Sequence, residues 1–396
     1  MMPVELDVLL VPLIVLSAVS YLLLAPYIGK RTALLVVTLK FVPSAVYFSL
    51  PKKNNFGLGD GISYYQDSLA LVGDAYGRSE LMYPPSGVDI LVSELDTQHV
   101  LYYWWNIVSV DILGTSYHAP ILANIFLSVV GGVAFYHFLI ESGHGSSYSR
   151  YGTVFFLLHW DVLAWTSFTN TKGTMVMLLS LTILLYLIKI KRIGKNKASI
   201  YYAVMIAASV ATLYWLRFYV PVLITAAAVL WALFDSRQAL LTSGLLIAPA
   251  MYVFNQWSHA LDRFVFESIL FGLIRFTLTP QPWSIAPNYW FLQLPAVLHW
   301  LFLIPALYGA GRLFIRRKTA RILLSYLLVV VVFYSLLPDL WGVRHRYQTV
   351  FVWAWIQFHF LWTVGSMVSL TFDEDRFGTN PQSSHVPHRE ETTSDG

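Results

Sequence analysis

Ala33-Leu34-Leu35-Val36-Val37-Thr38-Leu39-Lys40-Phe41-Val42-Pro43-Ser44-Ala45-Val46-Tyr47-Phe48-Ser49-Leu50-Pro51 carries a single charged side chain, Lys40. A bilayer core takes about 20 apolar residues of helix, so this stretch reads as a membrane span. It runs into a polar interval that contains Phe56-Gly57-Leu58-Gly59-Asp60-Gly61-Ile62-Ser63-Tyr64-Tyr65-Gln66-Asp67-Ser68. Glycines on both sides of Asp60 let the backbone turn sharply there and expose the carboxylate. Asp67 and Asp74 follow at seven-residue spacing, on roughly one helical face. Two readings of Asp60 stand side by side. It is a reactive carboxylate, or it N-caps a helix that starts at Gly61.

Working outward, the same apolar pattern returns along the chain. Candidate spans fall at about 7–28, 33–51, 119–140, 151–168, 173–190, 200–216, 218–234, 238–254, 292–314, 320–338 and 347–367. The fold class expected is therefore all-α: a polytopic bundle of about eleven spans, with a large first outer loop at 52–118 that holds interfacial helices. Composition agrees, with 57% hydrophobic and 12% charged residues, against about 25% charged in a soluble domain. The domain expected is residues 1–370, followed by a disordered polar cytoplasmic tail at 371–396. Glu5 and Asp7 near the start, without a basic stretch, argue against a cleavable signal. The 14 Trp and 24 Tyr suit interfacial belts and a cavity facing sugar or lipid. The absence of Cys excludes disulfides, thiolate metal sites and cysteine nucleophiles.

Basic residues orient the bundle. Lys30, Arg31, Arg150, Lys189, Lys191, Arg192, Lys195, Lys197, Arg237, Arg312, Arg316, Arg317, Lys318 and Arg321 all fall in short loops on one side. That side is expected to be cytoplasmic, with the N-terminus outside and the C-terminus inside. The outer segments are then 52–118, 255–291 and 339–346. Within the first, 97–113 is apolar but interrupted by His99, Asn106 and Asp111, and reads as an interfacial helix. The second contains Pro280-Gln281-Pro282-Trp283, a rigid piece suited to the headgroup level. The third ends in Arg344-His345-Arg346-Tyr347. Arginine there suits a phosphate or carboxylate; the plain alternative is snorkelling to headgroups. Lys40 and Asp161 lie inside spans, where ionisable groups are costly and face protein or water. Lys40 is expected to pair with a carboxylate, and Asp161 to line a cavity. His137, His299 and His359 sit in spans without a ligand-spaced partner, so no metal cluster is expected, and no glycine loop is followed by Lys-Ser/Thr.

A glycine-flanked carboxylate on an outer loop and arginines at the outer end of a late span make a two-part site. The carboxylate takes a proton from a hydroxyl, and the arginines hold a phosphate as charge develops. With no nucleotide site in the sequence, the expected donor is a sugar already joined to a lipid phosphate.

On these residues the chain resembles the C-type membrane glycosyltransferases, the GT-C superfamily, and most of all its protein O-mannosyltransferase and aminoarabinose transferase type. Members carry an acidic residue in the first large outer loop with a Tyr a few residues on, here Asp60 with Tyr64 and Tyr65. They carry an Arg-Tyr pair opening a late span, here Arg346-Tyr347, and an Arg at the outer end of a middle span, here Arg217. The resemblance covers about residues 30–365 through short motifs. It implies Asp60 and Asp67 as catalytic residues, and Tyr64, Tyr65, Arg217, Arg344, Arg346 and Tyr347 as substrate-binding ones. It implies a polyprenyl- or dolichyl-phosphate sugar as donor, with a glycan, lipid or protein as acceptor. No cofactor is expected, with a divalent cation left open; membrane lipid is the other partner, and nucleic acid is not one. The chain departs from the family in two ways. Many members have paired Asp-Glu where this chain has Asp60-Gly61, and there is an additional early span. The oligosaccharyltransferase branch has Trp-Trp-Asp, whereas Trp104-Trp105 is followed here by Asn106. Two other classes compete: a polysaccharide polymerase or ligase using a lipid-diphosphate glycan, and a lipid-glycan transporter or flippase.

Overall fold

The computed structural model describes residues 6–49, 59–74, 80–81, 86–95, 97, 99–194, 196–235, 269–337 and 343–377. The expected span 238–254, the outer residues 255–268 and the tail from 378 on lie outside the described residues. Every regular element among the described residues is helical, and several of the helices are apolar enough to span a membrane.

The chain opens with α1 (Leu6–Ile28) and α2 (Lys30–Ser49), packed as an antiparallel pair. Gly29 joins them at φ +84°, a conformation that side chains rarely adopt. Next come three shorter helices, α3 (Gly59–Asp74), α4 (Ser86–Leu95) and α5 (Val100–Leu113). They pack on one another at one end of the bundle, α3 on α5 and α4 on α5. Helix α6 (His118–Glu141) runs back through the core against α1. It is followed by α7 (Ser146–Leu158), α8 (Trp160–Ser167), α9 (Gly173–Ile193), α10 (Lys197–Arg217) and α11 (Val220–Asp235). After the undescribed stretch come α12 (Ile269–Leu278), α13 (Gln293–Leu301), α14 (Leu303–Arg316) and α15 (Ala320–Ser335). The last elements are the single turn α16 (Val343–Arg346) and α17 (Val350–Phe377). Helix α17 thus runs past Thr371, into the stretch expected as tail.

Among the described residues, five helices are individually long and apolar enough to cross a bilayer: α1, α2, α6, α9 and α10. A sixth candidate is the pair made by Tyr289–Leu301 and α14, bent by 55° at Phe302. The expected spans at 218–234 and 320–338 appear as α11 and α15, with 16 residues each. At 1.5 Å per residue each is roughly 24 Å long, short of a core about 30 Å thick.

The expected span at 151–168 is broken, and the break has a local cause. His159 has extended backbone (ψ 133°), and its ring Nδ1 takes the N–H of Asp161 at 3.2 Å. That N–H would otherwise close a helical bond to the carbonyl of Leu157. Lys40 fills the gap, its Nζ donating to the Leu157 oxygen at 3.2 Å. Lys40 therefore has a main-chain carbonyl as its hydrogen-bond partner, not the carboxylate expected from sequence.

Contacts sort the loops to two ends. At one end Arg150 reaches Thr32, Arg192 pairs with Glu141, Arg317 bonds the Gly143 carbonyl and Lys191 lies over Trp231. These are the loops whose basic residues were assigned to one side. At the other end lie the starts of α3 and α9, the end of α10, and α16.

Candidate functional site

Asp60 lies in the first turn of α3, after Gly59. The helix therefore starts two residues earlier than the capping reading required. The carboxylate of Asp60 accepts a hydrogen bond from Nη1 of Arg344, and both side chains are about half exposed. Gly61 serves close approach, not a sharp turn. A Cβ there would lie 2.6 Å from the carbonyl oxygen of Asn170, so only glycine lets α3 press this closely on the 169–172 turn.

That turn is held by a buried amide network. Asn170 Nδ2 donates to the Gly61 carbonyl at 3.0 Å and to Asn106 Oδ1 at 2.6 Å. Tyr102 OH donates to Asn170 Oδ1 at 2.6 Å, and Asn124 Nδ2 donates to the Tyr102 oxygen at 2.9 Å. Asn124 Oδ1 is left without a partner among the described residues, but the bonds that are made favour one arrangement of the helices that contribute them. Here they tie α3, α5 and α6 to the end of α8. The residue next to Asn170 but one, Lys172, is set by the same turn.

Lys172 is buried, and its Nζ donates to the hydroxyl of Tyr64 at 2.9 Å. Tyr64 lies one helical turn beyond Asp60, which brings both onto one face. A narrow pocket of about 20 Å³ is lined by Asp60, Tyr64, Lys172, Arg217, Arg344 and Tyr347, with Trp165, Thr171 and Gly173 completing it. Arg217, the last residue of α10, is buried there, and its Nη1 has no hydrogen-bond partner among the described residues. Gly173 opens α9, and a Cβ on it would come within 2.8 Å of the Tyr347 ring. Arg344 also borders a larger cavity of about 730 Å³, lined by Arg275, Thr279, Gln281, Ser284 and Tyr289 among others.

Cation crowding marks the pocket electrostatically. Burial pushes the Lys172 amine down to about 5, and the Arg217 charge pushes in the same direction. His99 falls to about 4 through burial, then through Lys172 and Arg217. His345 is driven well below its usual value by burial and then by the two arginines and Lys172. Burial raises the Tyr64 hydroxyl, with the Asp60 charge adding to it. A site that depresses its own bases in this way favours an anion.

Of the residues singled out from sequence, Asp60, Tyr64, Arg217, Arg344 and Tyr347 meet in this pocket. The other three do not. Tyr65 donates to the Thr115 carbonyl at 3.1 Å. Asp67 accepts from Tyr103 OH at 3.2 Å, two turns along α3. Arg346 is buried, with Nη2 on Asp161 Oδ2 at 2.9 Å and Nη1 on the Thr279 carbonyl at 2.6 Å. Its fork is already filled by protein, and Asp161 ties α8 to α16 through that pair. The side chain of Asp74 is not among those described. Among the described residues no three His, Asp or Glu side chains gather as metal ligands would.

Lys172 and Asn170 were not singled out in the sequence, where Thr169-Asn170-Thr171-Lys172 only separates the expected spans 151–168 and 173–190. A fully polar run between two apolar spans was the available signal. Comparison with known proteins gives no match: no family model, no curated protein and no solved structure aligns with the chain.

Proposed function

We propose that the protein is a membrane glycosyltransferase of the GT-C type, moving a sugar from a polyprenyl- or dolichyl-phosphate carrier to a hydroxyl at the outer face. The proposal includes about eleven spans, with the basic loops cytoplasmic and the Asp60 pocket outside. The observation that supports it is the meeting of one carboxylate with Arg217, Arg344 and Lys172 at the end away from the basic loops. Asp60 takes the proton of the acceptor hydroxyl as that oxygen attacks the sugar's anomeric carbon. The bond from that carbon to the phosphate oxygen breaks, and the arginines stabilise the charge that collects on the phosphate. The pocket is too small for a phosphate while Asp60 and Arg344 remain in contact, so donor binding has to draw Arg344 away from Asp60. Arg344 then serves the phosphate, and Asp60 is freed as a base. The 730 Å³ cavity beyond Arg344 gives the donor room. Two guanidiniums and an amine around one carboxylate also suit a diphosphate, which keeps a polymerase or ligase acting on a lipid-diphosphate glycan as the second reading.

The test is sugar transfer by the purified, reconstituted protein, using a panel of polyprenyl-phosphate sugars and wild type beside Asp60→Asn. Loss of a general base typically costs 10²–10⁴-fold in rate. Asp60→Asn is expected to fold like wild type and lose transfer by that order. Transfer by Asp60→Asn at the wild-type rate refutes the assignment.

A further inference from the structure

Lys172 is buried among groups of which Arg217 and Arg344 make a third positive charge costly and Asp60 favours it. Asp60 and Tyr64 face it from α3, His99 from the start of α5, Arg217 from α10, and Arg344 and His345 from α16. Both guanidiniums stay charged at any working pH. The one carboxylate near it among the described residues, Asp60, is bonded to Arg344, and the hydrogen-bond partner of Lys172 is the neutral Tyr64 hydroxyl. Burial and Arg217 accordingly leave the amine mostly neutral at pH 7.

We propose that Lys172 takes up a proton when a phosphate monoester fills this pocket, matching the second negative charge that the carrier phosphate gains when its sugar leaves. The inference rests on the lipid-phosphate reading above and deepens it. In the donor the phosphate is a diester with one negative charge. When the bond between the anomeric carbon and oxygen breaks, the bonding electrons stay on the phosphate, which becomes a monoester with two. Asp60 takes the proton of the acceptor hydroxyl and gives it up again, and that proton ends on Lys172, so the charge gained by the phosphate is matched and the pocket's net charge is unchanged. The product anion thus meets a cation that the substrate anion does not fully evoke. Two guanidiniums and an amine that charges on demand make the site selective for the state after bond cleavage.

Isothermal titration with geranyl phosphate tests this without any sugar. At pH 7.5 the probe is already mostly dianionic, since the second ionisation of a phosphate monoester lies near pH 6 (roughly). Repeating the titration in two buffers of different ionisation enthalpy gives the number of protons taken up. Wild type is expected to take up about one proton per phosphate, and affinity to fall up to tenfold per pH unit from about pH 7 up to the bound-state value of Lys172, then level off above it. Lys172→Gln is expected to bind more weakly with no uptake, and Lys172→Arg to bind with no uptake. His99→Gln and His345→Gln are expected to keep it. The monoanionic methyl ester of geranyl phosphate is expected to draw less. Clear binding to wild type without proton uptake overturns the inference and leaves the phosphate pocket standing. Uptake that survives in Lys172→Gln also overturns it. Failure of geranyl phosphate to bind at all refutes the phosphate pocket, and this inference with it.

Discussion

Arg346 tests whether the buried pair in the bundle is structural or a disguised ligand site. Its guanidinium makes two bonds in different directions, to Asp161 at 2.9 Å and to the Thr279 carbonyl at 2.6 Å. Both ends of the ion pair are at most 5% exposed. The other oxygen of Asp161 is buried with no hydrogen-bond partner among the described residues, so it has no fallback. Arg346→Lys keeps the charge but cannot serve both acceptors, and should lose one charge-assisted hydrogen bond, about 1.5–3 kcal/mol. Arg346→Met leaves Asp161 uncompensated, at about 3–5 kcal/mol. Arg346→Met with Asp161→Leu should recover most of that loss, because apolar replacement of a whole buried pair is often neutral. The assay is the midpoint of heat-induced loss of monodisperse protein in detergent. The expected order is wild type, the double variant, Lys, then Met, with Met lower by on the order of 5–10 °C. A wild-type midpoint for Arg346→Met, together with lost geranyl phosphate binding, refutes this assignment and returns Arg346 to the phosphate.

Gly61→Ala should destabilise the protein and lower transfer, although alanine improves helix propensity by about 1 kcal/mol. The new Cβ meets the Asn170 carbonyl at 2.6 Å and must push α3 off the turn that carries Lys172; a higher melting midpoint for Gly61→Ala would sink the close-approach argument. In this Cys-free chain, cysteines at Thr115 and Ser284 should react with an impermeant thiol reagent from outside, and those at Ser146 and Lys318 only after permeabilisation. Labelling of Ser146 and Ser284 from the same side refutes the two-ended arrangement.

The helices were legible because an apolar run about 20 residues long has one meaning in a membrane protein. Asp60 stood out because charge and glycine are rare against that background, whereas Tyr64 and Arg217 were named only through the resemblance. The breaks were not. The interruption at His159 depends on a ring nitrogen capturing an amide two residues on, with Lys40 from a distant helix covering the vacated carbonyl. Residue pattern carries no sign of either partner. Asn170 was equally hidden, since its role comes from contacts with α3, α5 and α6 that are far away in sequence.

The two arginines of Arg344-His345-Arg346 show where closer use of the sequence would have gained more. Read as a cluster, they suggested one phosphate clamp. Residues two apart on a helix point about 200° from each other, since each residue turns the chain by roughly 100°. One short turn, α16, therefore could not aim both forks at one ligand. Arg344 goes outward to Asp60, where both side chains are about half exposed; on the proposed reading it is the group that exchanges a carboxylate for a phosphate. Arg346 goes inward to Asp161, where both charges are out of reach of water. The Asp60 pair is exposed and so contributes little to stability, typically 0.2–1 kcal/mol. It can open at small cost, whereas breaking the buried pair leaves a stranded charge. A single turn thus carries an anchor on one face and a movable group on the other. Donor binding should then displace Arg344 alone and leave Arg346 where it is.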